Sequence, residues 1–408
     1  MGSPRLEARW RRGVSRRKAI AGLAGVLAGS PLFAERSLGQ IDPRPFREHK
    51  RLPGLNEMLE SFDFEPVMFA NVPLATYDYT AHGDGSEFTV RRNRQAFEWV
   101  DLVPGRRLDP GDVDLSTEIL GARMKYPIMV APSAAQVTIH PDGEVGMRRG
   151  AIAASNTPTI LSHVSSTPVQ KVAAAGTGPL WAQFYPQQDP SAGRRILEEA
   201  QAAGCGAIVV TVDQQASYYE RTEHDRNLGG GPRRAGRGSS AAEATKGPAL
   251  YRVSTNRLWY SWQYLDEIRK IIKVPMLVKG ILTAEDAKLC VEHGIDGIIV
   301  SNHGGRSMDY GPSTIEVLPE IVAAVNHRVP VITDSGYRRG SDILKALALG
   351  ADAVLLGRAT RWALGAFGAA GVQRLLEILQ RELIEAAAAT GRGTRASIDP
   401  SIVRARFP

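Results

Sequence analysis

The sequence predicts an α/β fold in which eight parallel strands, each followed by a helix, close into a (β/α)8 barrel. Short apolar runs recur from residue 127 onward, and each run precedes a segment with apolar residues at helical spacing. Eight such strand–helix units are what a closed barrel requires. A doubly wound sheet is the alternative, but no Gly-x-Gly-x-x-Gly sequence follows the first apolar run, where such sheets usually carry one.

Each predicted strand is bounded by turn-forming or polar residues, and its apolar content is typical of a parallel strand buried on both faces. The predicted strands are Ile128–Ala131, Thr159–Leu161, Leu180–Tyr185, Ala207–Asp213, Met276–Lys279, Gly297–Ser301, Val331–Asp334 and Ala353–Gly357. Helical spacing between or after them predicts helices over Ala192–Ala203, Ala284–His293, Ser313–Val325, Ser341–Leu349 and residues 366–390.

The connection between the fourth and fifth predicted strands is much longer than the others. Residues 214–256 include the Gly- and Arg-rich run 229–240, a composition typical of a mobile loop. At the carboxyl face of a barrel we expect a lid or active-site loop, and a functionally silent insert is the alternative. Residues 40–126 are predicted to form a helical and hairpin extension that packs on the barrel of residues 127–395.

The net charge of +7 does not indicate a nucleic-acid-binding face, because the excess is concentrated at one end of the chain. Residues 1–39 hold eight basic and two acidic residues, which account for six of the seven net charges. The remainder is close to neutral, so no nucleic-acid partner is expected. Cys205 and Cys290 are too few for a disulfide framework or a zinc site, and no metal is predicted.

The first 39 residues have the composition of an export signal. Ser15-Arg16-Arg17-Lys18 precedes the small and apolar run Ala19–Ala34, which is shorter than a membrane span. Adjacent arginines after a serine resemble the twin-arginine signal, a route for proteins that have already folded. The sequence therefore predicts export to the periplasm, and a cytoplasmic or membrane-associated location is the alternative.

The most informative motif is Ser301-Asn302-His303-Gly304-Gly305-Arg306-Ser307-Met308-Asp309, directly after a predicted strand. It places a histidine and an arginine three positions apart on a turn in which two glycines permit a sharp bend. A base beside a bidentate cation suits a substrate that carries a carboxylate and loses a proton or hydride. A solvated loop with a helix-capping histidine is the alternative for an isolated motif.

Every predicted strand ends in, or is followed within three residues by, a residue suited to binding or catalysis. These residues are Ser133, Ser162, Gln183, Tyr185, Thr211, Asp213, Lys279, Ser301, His303, Asp334, Gly357 and Arg358. The carboxyl ends of barrel strands are where barrel enzymes carry their active sites. The set therefore predicts one site at that end of the barrel.

The last two strand ends predict a phosphate site. Asp334-Ser335-Gly336-Tyr337-Arg338-Arg339-Gly340 follows the seventh strand, and Gly357-Arg358 follows the eighth. Glycine-rich turns, backbone N–H groups and arginines at these two positions form the usual phosphate site of a barrel. Lys279 is then placed to stabilise negative charge on an electron-accepting ring, with a structural ion pair as the alternative.

These motifs resemble those of the FMN-dependent α-hydroxy-acid oxidases and dehydrogenases, which include glycolate oxidase, lactate oxidase and mandelate dehydrogenase. The resemblance covers roughly residues 55–395 and also rests on P-I-M-V-A-P-S-A at 127–134, T-V-D at 211–213, L-V-K-G at 277–280 and K-A-L-A-L-G-A at 345–351. It implies an FMN-binding TIM barrel that oxidises an L-2-hydroxy acid to a 2-oxo acid. Electrons would pass to oxygen or another acceptor, and hydride transfer and carbanion formation both remain open.

The resemblance also implies a role for each matching residue. His303 is similar to the catalytic base, Asp213 to its carboxylate partner, and Lys279 to the lysine beside flavin N1 and O2. The residues similar to the substrate-binding set are Tyr79, Tyr185, Arg221 and Arg306. The residues similar to the FMN-binding set are Ser133, Ala134, Ser162, Gln183, Thr211, Lys279, Ser301, Asp334, Gly336, Arg338, Gly357 and Arg358.

The same motifs leave two alternative functions open, and the family resemblance also implies an assembly state. Another FMN- or phosphate-binding barrel, such as a type 2 isopentenyl-diphosphate isomerase, is one alternative, and an exported flavin-binding redox partner without hydroxy-acid turnover is the other. Family members are commonly tetramers, so the resemblance implies a homo-oligomer. Val164 stands where relatives place an aromatic residue near the substrate, which leaves the substrate side chain open.

Overall fold

Eight parallel strands form a closed barrel in the computed structural model, which confirms the predicted fold. The structure describes residues 51–187, 190–213 and 261–408. In chain order the barrel strands are β4 Ile128–Val130, β5 Thr159–Leu161, β6 Leu180–Phe184, β7 Ile208–Thr211, β8 Met276–Ile281, β9 Gly297–Val300, β10 Val331–Thr333 and β11 Ala353–Leu356. Each pairs with its sequence neighbours, and β11 closes the barrel against β4.

Side chains alternate between two buried surfaces along each strand, as the pleat requires. Met129, Val209 and Leu277 belong to a cluster inside the barrel, whereas Val130 and Val210 pack in the layer that includes the helices. Because both faces are buried, strand residues read as continuous apolar runs rather than as an alternating pattern. This explains why all eight strands could be located from the sequence.

The helices of the barrel follow its strands and cover its outer face. They are α4 Gly143–Ser155, α5 Val169–Ala173, α6 Pro190–Ala202, α7 Trp262–Arg269, α8 Ala284–Glu292, α9 Thr314–Val325, α10 Gly340–Ala348 and α11 Arg358–Ala389. Phe367 and Gly368 interrupt α11 with non-helical angles, and Gly368 has a φ of 59°. A Cβ at Gly368 would lie 2.7 Å from a ring carbon of His140, so this kink requires glycine.

Within residues 51–126, the described part of the predicted extension, three helices and a hairpin precede the barrel. The helices are α1 Phe64–Asn71, α2 Leu74–Ala81 and α3 Phe88–Gln95, and the strands are β1 Val100–Leu102, β2 Thr117–Ile119 and β3 Ala122–Met124. Short 3-10 turns connect several of these elements, and β1 pairs with the last strand, β12 Val403–Ala405. Ile119, Ala122 and Met124 belong to the same buried cluster as the barrel interior.

Two of the predicted segments lie outside the described residues: the basic segment 1–39 and the connection at 214–256. Among the described helices, none combines the length and the apolar content needed to cross a membrane.

Candidate active site

The carboxyl ends of β7, β8, β9 and β10 bring together a carboxylate, an ammonium, an imidazole and a second carboxylate. His303 Nδ1 lies 3.0 Å from Asp213 Oδ1. Lys279 Nζ lies 3.6 Å from Asp213 Oδ2 and 3.5 Å from Asp334 Oδ2, and it donates a 2.7 Å hydrogen bond to Ser301 Oγ. The sequence-predicted group at these four strand ends is therefore contiguous in space.

The side chains of Asp213 and Lys279 are both buried, yet each retains its charge because the other is present. Burial by itself would raise the pKa of the Asp213 carboxyl, but Lys279 and His303 hold it below its usual value. Burial would likewise lower the pKa of Lys279, but the two carboxylates hold it above its usual value. A buried pair is stable only when each charge keeps its partner. The arrangement thus keeps a carboxylate in place beside the imidazole of His303.

A left-handed turn presents His303 at the end of β9. Successive φ angles of 57°, 68° and 77° at His303, Gly304 and Gly305 place three residues in the left-handed region. This conformation is unfavourable for a histidine, so the surroundings have to hold it. Ser301 Oγ accepts the His303 N–H at 3.0 Å, and Ser335 Oγ accepts the Gly304 N–H at 3.0 Å. The paired glycines of the motif are explained by the turn.

An amide pair from two distant segments supports the same turn. Asn93 and Asn302 exchange two side-chain hydrogen bonds of 2.9 and 2.7 Å, and Asn302 Oδ1 also accepts the Gly305 N–H at 3.0 Å. Asn93 lies on α3, so the extension contributes to the shape of the His303 turn. Sequence reasoning missed this pair because a single asparagine on a helix carries no signal of its distant partner.

Arg306 lies against Tyr79, which belongs to α2. The guanidinium carbon is 4.7 Å from the centre of the Tyr79 ring, and Arg306 Nη1 donates a 2.6 Å hydrogen bond to the Tyr79 carbonyl. Ser307 Oγ donates to the Asp213 carbonyl at 2.6 Å, which ties the arginine-bearing loop to the end of β7. Two residues of the predicted substrate set are therefore adjacent, and Arg221 of that set lies outside the described residues.

Tyr185 follows β6 and contacts a histidine that sequence reasoning did not single out. The Tyr185 N–H donates to Nδ1 of His163 at 3.1 Å, and the two rings are 6.0 Å apart. Accepting this bond requires Nδ1 without a proton, so neutral His163 carries its hydrogen on Nε2. His163 follows Ser162 at the end of β5, and its position beside a predicted strand-end serine is the signal that could have found it.

Several buried polar atoms at the strand ends have no hydrogen-bond partner in the described part of the protein. They include Gln183 Nε2, Thr211 Oγ1 and Arg338 Nε. Buried polar atoms are normally paired, so these three donors indicate a ligand with acceptor atoms. Gln183 Oε1 is already used by the His163 N–H at 3.0 Å, and Ser162 Oγ lies 3.4 Å from it. The orphaned atoms fall within the predicted FMN set.

The backbone of the loop after β4 lies beside this group. Gln136 Nε2 donates to the Ser133 carbonyl at 3.2 Å, and Arg361 Nη1 donates to the Ala134 carbonyl at 2.7 Å. Arg361 belongs to the first turn of α11 and was not predicted as a site residue. From sequence alone, an arginine in the first turn of a helix is expected to face solvent. No sequence pattern therefore predicted that Arg361 lies beside the Ala134 loop.

Of the two predicted phosphate arginines, Arg338 is buried and Arg358 is partly buried, and neither has a carboxylate within 4 Å among the described residues. Burial and neighbouring arginines lower the pKa of Arg358 to about 9, and burial and Arg94 lower that of Arg338 to about 10. Arg358 donates to the carbonyls of Thr80, His82 and Gly304. Cations that are buried or partly buried without a counter-charge fit a site for an anion such as phosphate.

The turn before α10 has the backbone shape of that predicted phosphate site. Gly336 has a φ of 96°, and a Cβ there would overlap the Asn93 carbonyl oxygen, so only glycine fits. Asp334 accepts from Ser335 Oγ at 2.7 Å and lies at the same strand end. At Gly357 a Cβ would have no neighbour closer than 3.9 Å among the described residues, so its backbone is open on that side.

Comparisons with known proteins match this chain over nearly all of its described length. Residues 69–405 match the family model for FMN-dependent dehydrogenases. Glycolate oxidase 3 of Arabidopsis thaliana is 38% identical over 80% of this chain and 90% of its own. The L-lactate oxidase of a Nostoc species is 34% identical over 86% of this chain and 100% of its own. A crystal structure of mandelate oxidase is 35% identical, covers 86% of this chain and 99% of its own, and superposes with a TM-score of 0.75.

The predicted export to the periplasm is wrong in light of the same comparisons. The relatives include a peroxisomal (S)-2-hydroxyacid oxidase of Arabidopsis thaliana, 36% identical over 86% of this chain and 97% of its own. The prediction rested on arginines followed by small apolar residues. That composition reflects only charge and hydrophobicity, and neither property is specific to one targeting pathway.

Proposed function

The chain belongs to the FMN-dependent dehydrogenase family, and from that premise we propose how its residues carry out the reaction. It is an FMN-dependent oxidoreductase that acts on a 2-hydroxy acid. The observation that carries the mechanism is the 3.0 Å pair between His303 and Asp213, with His303 three residues before Arg306 on a turn at the barrel mouth. The two alternative functions considered above are not favoured.

The described residues fit FMN, which when bound accepts the two electrons removed from the substrate. We propose that Arg338, Arg358 and the Gly336 turn hold its phosphate, and that Asp334 and Gly357 contribute to the adjoining polar part. The loop at Ser133 and Ala134 would contact the ring together with the strand-end residues Ser162, Gln183, Thr211, Lys279 and Ser301. The orphaned donors on Gln183, Thr211 and Arg338 support this assignment.

We propose His303 as the base that removes the hydroxyl or α-proton of the substrate. Its Nδ1 is occupied by Asp213, which leaves Nε2 as the atom that receives the proton. The protonated ring then lies beside a buried carboxylate, so its positive charge is compensated without rearrangement. Lys279, within 4 Å of both Asp213 and Asp334, keeps the carboxylate charged before substrate binds.

We propose Arg306 as a clamp for the substrate carboxylate, with Arg221 as a second cation and Tyr79 and Tyr185 as hydroxyl donors. The stacking of Arg306 on Tyr79 supports the pairing of these two residues in one subsite. Two fixed contacts on the carboxylate orient the C2 atom, so the reacting bond has a defined direction. We further propose that the substrate is a small L-2-hydroxy acid such as lactate, glycolate or mandelate. Oxygen is the proposed electron acceptor.

We also propose that residues 40–126 form one extension on the barrel of residues 127–395, and that the protein is a homotetramer. The interior contacts of the hairpin support the first proposal, and the family resemblance supports the second. Light scattering of the purified holoprotein measures the assembly directly, and a mass of one chain contradicts the tetramer.

An anaerobic titration tests the function. The purified holoprotein is mixed with L-lactate, glycolate or L-mandelate while its visible flavin absorbance is followed, and it is then opened to air. We expect bleaching by at least one acid and rapid recovery of the absorbance in air. Bound flavin that no 2-hydroxy acid bleaches contradicts the function, and slow recovery in air contradicts oxygen as the acceptor.

Variants of two histidines assign the base in the same titration. His303→Ala removes the proton acceptor, so we expect flavin to remain bound while substrate no longer bleaches it. His293→Ala is the matched control, because His293 also lies 2.8 Å from a carboxylate, that of Asp266, but on the outer helices. Rapid bleaching of the His303 variant would remove this residue as the base.

A further inference from the structure

Arg361 is a buried cation that the proposed mechanism does not use. It lies in the first turn of α11, is 6% exposed, and has no carboxylate within 4 Å among the described residues. Burial lowers its pKa to about 10, with Arg306 adding to the effect. A cation near a helix N-terminus is also unfavourable for the helix dipole. Neither packing nor helix stability accounts for a guanidinium at this position.

Three contacts of Arg361 join parts of the site that are far apart in sequence. Its Nη1 donates to the Ala134 carbonyl at 2.7 Å, and its Nε donates to Thr80 Oγ1 at 3.1 Å. Its guanidinium carbon lies 5.5 Å from the centre of the Tyr79 ring, and its Nη2 has no partner among the described residues. One side chain therefore contacts the loop proposed for the flavin ring and the tyrosine proposed for the substrate.

The peptide that Arg361 holds is part of a strained turn. Ala135 has a φ of 51°, in the left-handed region, which is unfavourable for a residue with a Cβ. The N–H of the same peptide donates to the Val164 carbonyl at 3.0 Å, so the peptide is held from both ends. Without Arg361 the Ala134 carbonyl would lose its donor and the turn one of its restraints.

We propose that Arg361 is a positioning residue for hydroxy-acid oxidation, holding the Ala134 peptide and the Tyr79 ring in one fixed relation. The inference rests on the proposed function, because it assigns these two groups to the flavin and substrate subsites. A neutral apolar side chain of similar size could fill the space, but it could not restrain a carbonyl and a ring face at once. The charge and the fork are both required.

The test compares Arg361→Leu, Arg361→Lys and Arg361→Ala with Arg381→Leu, an exposed arginine of the same helix. We expect Arg361→Leu to keep FMN bound, to change the visible circular dichroism of the flavin, and to lower its limiting rate of reduction about 10- to 100-fold. Arg361→Lys should recover a minor part of that rate, because an ammonium makes one of the contacts. Arg381→Leu should match the wild type in both measurements.

Chemical rescue separates positioning from a general structural role. Guanidinium at a non-denaturing concentration should restore part of the reduction rate of Arg361→Ala, and urea, which has the same shape without the charge, should not. A variant that loses thermal stability but keeps the wild-type rate and flavin spectrum overturns the inference, as does equal rescue by urea. If no hydroxy acid reduces the wild type, the proposed function fails, and the flavin spectrum of the Leu variant still decides whether Arg361 shapes the site.

Discussion

At the scale of single residues, Tyr79 is the point where the site concentrates positive charge. The guanidinium carbons of Arg306 and Arg361 lie 4.7 and 5.5 Å from the centre of its ring. A cation–π interaction of this kind contributes about 1 to 2 kcal/mol when water is excluded from the aromatic face. Because both arginines also bind main-chain carbonyls, the ring has little freedom to change its tilt.

Arg306→Lys is the prediction at this scale. One ammonium replaces a planar fork that stacks on Tyr79 and holds its carbonyl, so we expect kcat/KM for the hydroxy acid to fall about 100-fold or more. Flavin content should stay at the wild-type level. Steady-state kinetics with the acid that bleaches the flavin measures the loss.

Arg328→Lys is the control for that substitution, because Arg328 also donates to backbone carbonyls, those of Ala324 and Val325, but at the end of α9. Its kcat/KM should equal that of the wild type. If Arg306→Lys also keeps its kcat/KM, Arg306 does not bind the substrate carboxylate.

The residues found from sequence are those that a local motif or a strand end marks. His303, Arg306 and Lys279 were placed this way, and the structure brings His303 and Lys279 to the same carboxylate, Asp213. Arg361 and His163 were not found. Their position depends on which side chain of another element faces them, and no spacing within one segment encodes that distance.

At the scale of elements, one buried carboxylate joins the loops after β4 and β5. Glu144, in the first turn of α4, accepts from the Gln136 N–H at 3.1 Å, the Ser166 N–H and hydroxyl at 2.8 Å, and Thr167 Oγ1 at 2.8 Å. Burial by itself would raise the pKa of Glu144, but the hydrogen bonds from these donors have the larger effect and leave the pKa below its usual value. The two loops proposed to surround the flavin ring are therefore fixed by one charge.

Glu144→Gln should lower the free energy of unfolding by about 2 to 4 kcal/mol at neutral pH. The reason is that the side-chain NH2 of glutamine would face the N–H and hydroxyl groups that now donate to the Glu144 carboxylate. A depressed carboxyl pKa stabilises the protein above the usual value of 4.5 and ceases to do so as the pH falls through the folded-state pKa. The difference between the two proteins should therefore shrink in acid. Urea unfolding across that pH range measures it.

Glu267→Gln is the matched control, because Glu267 makes an exposed pair with Lys270 and should change stability by less than about 1 kcal/mol. A difference between Glu144→Gln and wild type that stays constant below the usual carboxyl pKa would contradict the charged network.

Strand positions were predictable to within two residues because continuous burial produces continuous apolar runs. The predicted ends were too late where polar site residues continued the run: β6 ends at Phe184 and β7 at Thr211, before the predicted Tyr185 and Asp213. These residues leave the sheet to face the site. The hairpin of β2 and β3 was predicted to exist, but its strand limits were not. Its side chains pack against the interior of the barrel, which a different part of the chain forms, so its own sequence does not reveal this contact.

At the scale of the whole molecule, the described part of the chain contains buried positive charge that its own carboxylates do not balance. Arg338 and Arg361 are buried and Arg358 is partly buried. Each has a lowered pKa, and none has a carboxylate within 4 Å among the described residues. Each uncompensated buried charge reduces the stability of the folded state. The protein is therefore expected to need its anionic cofactor for stability as well as for chemistry.

Removal of FMN should lower the free energy of unfolding by about 3 kcal/mol relative to the holoprotein measured with FMN at about 100 times its Kd. Inorganic phosphate added to the FMN-free protein should restore part of that loss, because it supplies the counter-charge at the Gly336 turn without the ring. In Arg338→Leu the phosphate effect should be much smaller, since one of the two arginines proposed to bind the phosphate is gone. Thermal unfolding with and without each ligand makes the comparison. If the FMN-free protein is as stable as the holoprotein, or if phosphate stabilises the Leu variant equally, these arginines are balanced within the chain and do not form the phosphate site.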